Sequence, residues 1–288
     1  MIELKNEYIN VKVAIKGAEL TSLFDVKKNK ELLWQGDKQY WGRQAPILFP
    51  IVGSLKDGQY IYEDVKYELP RHGFARDHVF VLEACTDDQA TLILRENAEL
   101  MSKYPFQFEL AVTYKINKNS LQIHYCVKNM MSKEMFFSIG AHPAFNCDLN
   151  SEKSFLRIEM QTEEASLESL KIALNSGLIV DGYRDIALEA GRLRLTPKLF
   201  EEDALIFKGE HINGFILNSD GEGDILKFEC CNYPYIGIWS PKAPFVCIEP
   251  WHGIADFEGT SQNLKEKQGI IKLDGQTEFE CDYSITLI

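Results

Sequence analysis

Four short stretches of the 288-residue chain set an ionisable side chain among glycine, proline and aromatic residues: WGRQAPILFPIVG at 41–53, PRHGFAR at 70–76, GAHPAF at 140–145 and CIEPWHG at 247–253. Glu249 is the most constrained of these side chains. It follows the apolar run Phe245-Val246-Cys247-Ile248 and precedes Pro250-Trp251, a pattern that reads as a buried strand. A carboxylate there has to be paired, protonated or functional, and burial would raise its pKa toward that of a general base near neutral pH. His142 precedes Pro143, which biases it toward extended backbone, so it can project from a strand end into a cleft or hydrogen-bond a buried carbonyl. His72 lies between Pro70-Arg71 and Gly73 at a bend, where a lone histidine fits a structural role as well as a functional one. Arg43 can clamp a ligand through paired N–H groups, or snorkel from a strand and pair with a core carboxylate.

Other chemistries find less support. His72, His142 and Glu249 could form a two-histidine, one-carboxylate metal set, but no H-x-H or H-x-x-x-H spacing accompanies them, so no metal is expected. There is no G-x-S-x-G and no glycine-rich phosphate loop. The seven cysteines are odd in number and lack C-x-x-C spacing, which predicts reduced thiols packed as small core residues. Cys147 and Cys247 each lie near a histidine in sequence, but a nucleophilic role needs spatial pairing that sequence does not display. A net charge of -12 opposes a nucleic-acid or anionic-membrane partner while leaving room for a local cationic pocket. No apolar run approaches the roughly 18 to 20 residues of a membrane span, and the opening MIELKNEYIN lacks the apolar centre of a signal peptide. A cytoplasmic location is expected.

The elements that must position these residues read as strands. Short β-forming runs recur at 11–17, 78–84, 90–96, 108–116, 120–129, 212–219, 223–230, 235–240, 245–251 and the closing FECDYSITLI, with turn signals such as NKNS at 117–120 between them. Helical patterning is confined to 96–104, 163–171 and 196–203. No linker or low-complexity tract divides the chain. The expectation is one all-β domain over residues 1–288, a large antiparallel β-sandwich with a few short helices.

Taken together and in order, GAELTSL at 17–23, ELLWQGD at 31–37, the four stretches above and YIGIWSPKAPFVCIEPWHG resemble the aldose 1-epimerase (galactose mutarotase) family, particularly its divergent bacterial branch. The resemblance runs through nearly the whole chain. It implies a β-sandwich with a sugar cleft on one sheet, where acid and base open and reclose the ring of an aldose without metal or redox cofactor. It implies Glu249 as general base, His142 as general acid, His72 as the second active-site histidine and Arg43 as a sugar-binding arginine. Asp203 is the weaker match to a hydroxyl-binding aspartate, and it could equally end the helix at 196–203. Trp251 and Trp239 could offer an apolar face to a pyranose or serve as core aromatics, with Trp239 the more core-like. His252, beside Trp251, is not assigned to the site.

Two departures from the family pattern matter. Gly42 stands where the better-known galactose mutarotases carry asparagine, which leaves the sugar open. Arg71 and Arg76 make the His72 loop cationic, as in hexose-6-phosphate epimerase relatives, so Arg76 is also taken as a substrate-binding candidate. The readings that follow are an aldose 1-epimerase, a hexose-6-phosphate 1-epimerase or a non-catalytic carbohydrate-binding protein. The sequence does not specify an oligomeric state.

Overall fold

The computed structural model describes residues 1–151, 153–160, 164–219 and 223–288. Alternation of apolar and polar residues builds its principal hairpin. Strand Phe108–Asn117 turns inward Leu110, Val112, Tyr114 and Ile116, and its antiparallel partner Ser120–Asn129 turns inward Leu121, Ile123, Tyr125 and Val127. These strands belong to a nine-stranded antiparallel sheet, which faces an eight-stranded one; a four-stranded sheet is built from the first 31 residues. One continuous apolar cluster joins the hairpin residues to Leu205, Phe207, Ile236, Ile238, Val246 and Ile248 of the eight-stranded sheet. Phe145 and Phe228 meet edge to face in this core, ring centroids 6.0 Å apart. The architecture is the expected β-sandwich.

The eight-stranded sheet is also covered on its other face. Ile206 and Trp251 join Leu48, Val52, Leu170 and Ile179 in a second apolar cluster, while Phe245 and Cys247 join Trp34 and Ala144 in a third, with Trp41 and Trp239 packed against it. Strand Phe245–His252 is therefore buried on both sides. Because side chains alternate along a strand, Val246 and Ile248 enter the sandwich core while Cys247, Glu249 and Trp251 point to the outer face.

The strands expected from sequence are present with trimmed ends. The run at 11–17 contributes only its start, to strand Ile9–Val13, and the run at 78–84 becomes strand Val81–Cys85. Of the expected helices, 96–104 forms as Ala98–Lys103, where the Asn97 side chain accepts a hydrogen bond from the Leu100 N–H at 2.9 Å. The stretch 196–203 yields a 3₁₀ turn over Pro197–Phe200. The helix expected at 163–171 is wrong: Ser166–Ile172 is a strand, paired with Ile179–Ala187 and bridged to Leu205–Lys208, and Glu163 lies outside the described residues. Its helix-like charge spacing yields to pairing at the sheet's end. Among the described residues no helix is long and apolar enough to cross a membrane.

Two glycines seat the Trp251 ring. Gly140 lies directly across from Trp251, and a Cβ there would come within 2.7 Å of the indole; a Cβ on Gly237 would come within 2.6 Å from the neighbouring strand. Gly237→Ala is accordingly expected to cost about 1–3 kcal/mol of stability by overpacking and to shift Trp251. Urea unfolding and tryptophan fluorescence measure the two effects.

Candidate active site

The strand register brings the principal acid and histidine together. Strand Phe245–His252 pairs with Ile139–Ala141 through Gly140↔Trp251 and with Ala144–Asn146 through Ala144↔Cys247. Both pairs have residue numbers adding to 391, so continuing the register across the break sets His142 opposite Glu249. Cross-strand neighbours on one face are close enough for their side chains to meet. The His142 Nε2 lies 3.2 Å from the Glu249 Oε2, and both side chains are buried. On the other side, Gly237 pairs with Glu249 and leaves the carboxyl uncrowded.

A cavity of about 260 Å³ opens above this pair. His72, His142, Glu249, Asp203, Trp251 and Arg76 line it, so the structure gathers six of the seven residues proposed from sequence. Trp41, Trp239 and Arg71 join them. Trp239, read as the more core-like tryptophan, instead stands edge-on to His142 with centroids 5.6 Å apart. Trp41 stacks on His142 at 4.8 Å and 26°. It was absent from the proposed set, although it precedes Arg43 by two residues in the same quoted stretch.

Arg43 is the residue left out. Its Nη2 donates to Asp77 Oδ1 at 2.8 Å, and it lines an adjoining hollow with Arg76 and Asp77. Of the two options open for Arg43, the observed one is pairing with a carboxylate, although Asp77 is exposed and not a core residue. Asp203 ends the turn after Pro197–Phe200 with φ 71° and accepts from the Ala204 N–H, and it also lines the cavity. His252 packs against Tyr233 and Phe279, away from the cavity.

The His72 loop is docked on the segment after Phe49. The His72 N–H donates to the Gly53 carbonyl, and the Gly53 N–H donates to His72 Nδ1 at 3.1 Å. An accepting Nδ1 places the proton of the neutral ring on Nε2, which makes that nitrogen a donor. His72 and Gly73 both have left-handed backbones, and a Cβ on Gly73 would sit 2.2 Å from the Phe49 carbonyl, so only glycine lets the loop approach this closely. Arg76 Nη2 donates to the Arg71 carbonyl and closes the loop.

Electrostatics separate the groups. Burial pushes the Glu249 carboxyl well above the usual carboxylate range; Arg71 opposes this and Asp203 adds to it. Burial pulls His142 down to about 3, with Arg71, Arg76 and Arg43 pulling the same way. Burial, then His142 and the arginines, hold His72 well below its ordinary value. Burial thus pushes all three groups, Glu249, His142 and His72, toward their uncharged forms.

These features define an acid–base cleft on the outer face of a galactose mutarotase-like β-sandwich. The chain superposes on a galactose mutarotase-like protein from Lactobacillus casei ATCC 334 with a TM-score of 0.93 and 33% identity, covering 100% of both chains. A galactose mutarotase related enzyme from Lactobacillus acidophilus gives 0.92 and 32%, over 100% of this chain and 97% of that one. The plasmid-encoded LacX protein of Lactococcus lactis subsp. lactis is 35% identical over 297 aligned residues, spanning 100% of this chain and 99% of LacX. The aldose 1-epimerase family profile matches residues 1–176. The chain belongs to the aldose 1-epimerase family.

The buried groups give folding a distinct pH signature. Burial raises Glu249 and lowers His142, so the two oppose each other in the pH dependence of stability: the raised carboxyl favours the folded state toward acid and the lowered imidazole disfavours it. His72 and His252 behave otherwise: burial lowers both, His252 to about 4, so only the unfolded chain takes up their protons as pH falls below 6.5. Stability is therefore lost toward acid by about 1.4 kcal/mol per pH unit for each histidine. His252→Phe, outside the cavity, is expected to remove about one proton from the slope between pH 6.5 and 5. Urea unfolding at a series of pH values reads that slope.

Proposed function

We propose that this chain is an aldose 1-epimerase that interconverts the α and β anomers of a free hexose or a close derivative. The observation that carries the reading is the His142–Glu249 pair, 3.2 Å apart at the base of a cavity walled by tryptophans and arginines. Tryptophan faces suit the apolar side of a pyranose, and arginine and aspartate suit its hydroxyls.

The chemistry needs one proton held by the pair. Its transfer from Glu249 Oε2 to His142 Nε2 converts the resting neutral pair into a carboxylate and an imidazolium with no change in net charge. Glu249 then removes the proton of the anomeric hydroxyl while His142 donates to the ring oxygen, and the bond between C1 and the ring oxygen breaks. His72 Nε2–H steadies the oxygen from a second side. After rotation about C1–C2 the two transfers run in reverse, closing the ring on the other carbonyl face and restoring both groups. No step calls for a redox or metal cofactor.

Glu249→Gln keeps the shape and removes the base. It is expected to slow anomer exchange on the order of 10²- to 10⁴-fold while sugar binding survives. Exchange by NMR across a panel of aldoses, with binding measured separately, checks both. A wild-type protein that binds sugar and accelerates no exchange would instead be the carbohydrate-binding reading.

A hexose 6-phosphate is the second reading, favoured by one observation. Arg71 lines the cavity and among the described residues has no carboxylate partner, unlike Arg43 and Arg76. If it meets a phosphate, Arg71→Gln should raise KM for the phosphosugar by about tenfold or more and leave KM for the free hexose nearly unchanged. An equal response of both substrates discards this reading.

A further inference from the structure

The outer face of strand Phe245–His252 carries one more group beside the acid–base pair. Cys247 stands two residues before Glu249 on the same face, and the register sets Ala144 opposite it on one side and Trp239 on the other. Ligand atoms of His142, Cys247 and Glu249 all lie within 4.8 Å of one another, and all three residues are buried. The Glu249 Oε2, on a residue only 1% exposed, has no hydrogen-bond partner among the described residues, and neither does His142 Nδ1. The metal set considered from sequence used His72; the fold brings in Cys247 in its place.

We propose that His142, Cys247 and Glu249 form a three-ligand site for a thiophilic divalent cation of the zinc class, and that its occupation silences the acid–base pair. A nitrogen, a sulfur and a carboxylate oxygen are the donors zinc prefers. Bonds of about 2.0–2.3 Å in a tetrahedron require ligand atoms about 3.3–3.8 Å apart, so the three side chains must draw in by about an ångström. His142 and Glu249 line the cavity, which gives the ion a route of entry. One thiolate, one carboxylate and a 2+ ion sum to zero, so the buried complex carries no net charge. Binding takes the thiol as thiolate and the carboxyl as carboxylate. The bound cation occupies the lone pairs that the proposed ring opening needs.

That metal silences turnover rests on the proposed roles of Glu249 and His142; metal binding itself does not. Cobalt(II) reports binding directly, because a thiolate ligand gives a near-ultraviolet charge-transfer band. Wild-type protein titrated with cobalt is expected to develop that band at one equivalent. Cys247→Ala should lose it and bind cobalt on the order of 100-fold more weakly, since a lost ligand costs at least as much as a lost outer partner. Cys247→Ser supplies the same reading should the alanine variant fold poorly. In sugar exchange, zinc should inhibit wild type and leave the Cys247 variant about 100-fold less sensitive. A wild-type protein with no band, or a band and zinc sensitivity unchanged in the Cys247 variants, overturns the site. A band without any sugar exchange in metal-free protein leaves the site standing and removes the epimerase reading instead.

Discussion

A single cross-strand contact organises this molecule: a carboxyl and an imidazole, both buried, facing each other at 3.2 Å on the outer side of a sheet. Two separate charges there would each carry a desolvation penalty of several kcal/mol. Burial pushes both groups toward their uncharged forms, which lessens that penalty. The surroundings accommodate this arrangement. Gly237 leaves space beside Glu249, Trp41 and Trp239 cover His142 on two sides, and Gly140 with Gly237 lets Trp251 lie close to the sheet.

The cationic loop supplies the asymmetry that the pair alone lacks. Arg71 favours the ionised form of Glu249 and at the same time disfavours the charged form of His142. Its position depends on a backbone lock, the reciprocal hydrogen bonds between Gly53 and His72, and on the close approach of Gly73 to the Phe49 carbonyl. The same lock fixes the His72 tautomer. Asp77 draws Arg43 and Arg76 together, and burial with Arg43 nearby lowers Arg76 to about 10. Arg71, which lines the cavity, has no carboxylate partner among the described residues.

The strands were legible because period-two patterning is a local property, and Phe108–Asn117 and Ser120–Asn129 each display it within ten residues. The stretch EEASLESLK misled because its charges recur at helical spacing while its partners, Ile179–Ala187 and Leu205–Lys208, are fixed by tertiary pairing. Glu249 was legible as a buried acid among apolar neighbours. Its contact with His142 was not, because that depends on register between segments about a hundred residues apart. Arg43 differs: its pairing with Asp77, in a hollow that shares Trp41 and Arg76 with the cavity, depends on a contact between separate loops. Trp41 carried no signal beyond being aromatic, and only the fold lays it on His142.

Alternation along strand Phe245–His252 also separates stability from chemistry. Val246 and Ile248 fill the sandwich core, while Cys247, Glu249 and Trp251 face the cleft side. A slip of one residue would send the acid into the core and the core residues into the cleft, so the core packing that stabilises the fold also fixes which face Glu249 occupies. The neighbouring strands obey the same rule, with Ile236 and Ile238 inward against Gly237 and Trp239 outward, and Leu205 and Phe207 inward against Ile206 outward. The exception is the break at His142-Pro143, where the strand pairing lapses between Ala141 and Ala144. There the Ile248 N–H is taken up by the Pro143 carbonyl at 3.2 Å, which holds the segment on the sheet while regular pairing is suspended. His142 lies in this lapse, with its Nε2 3.2 Å from the Glu249 Oε2.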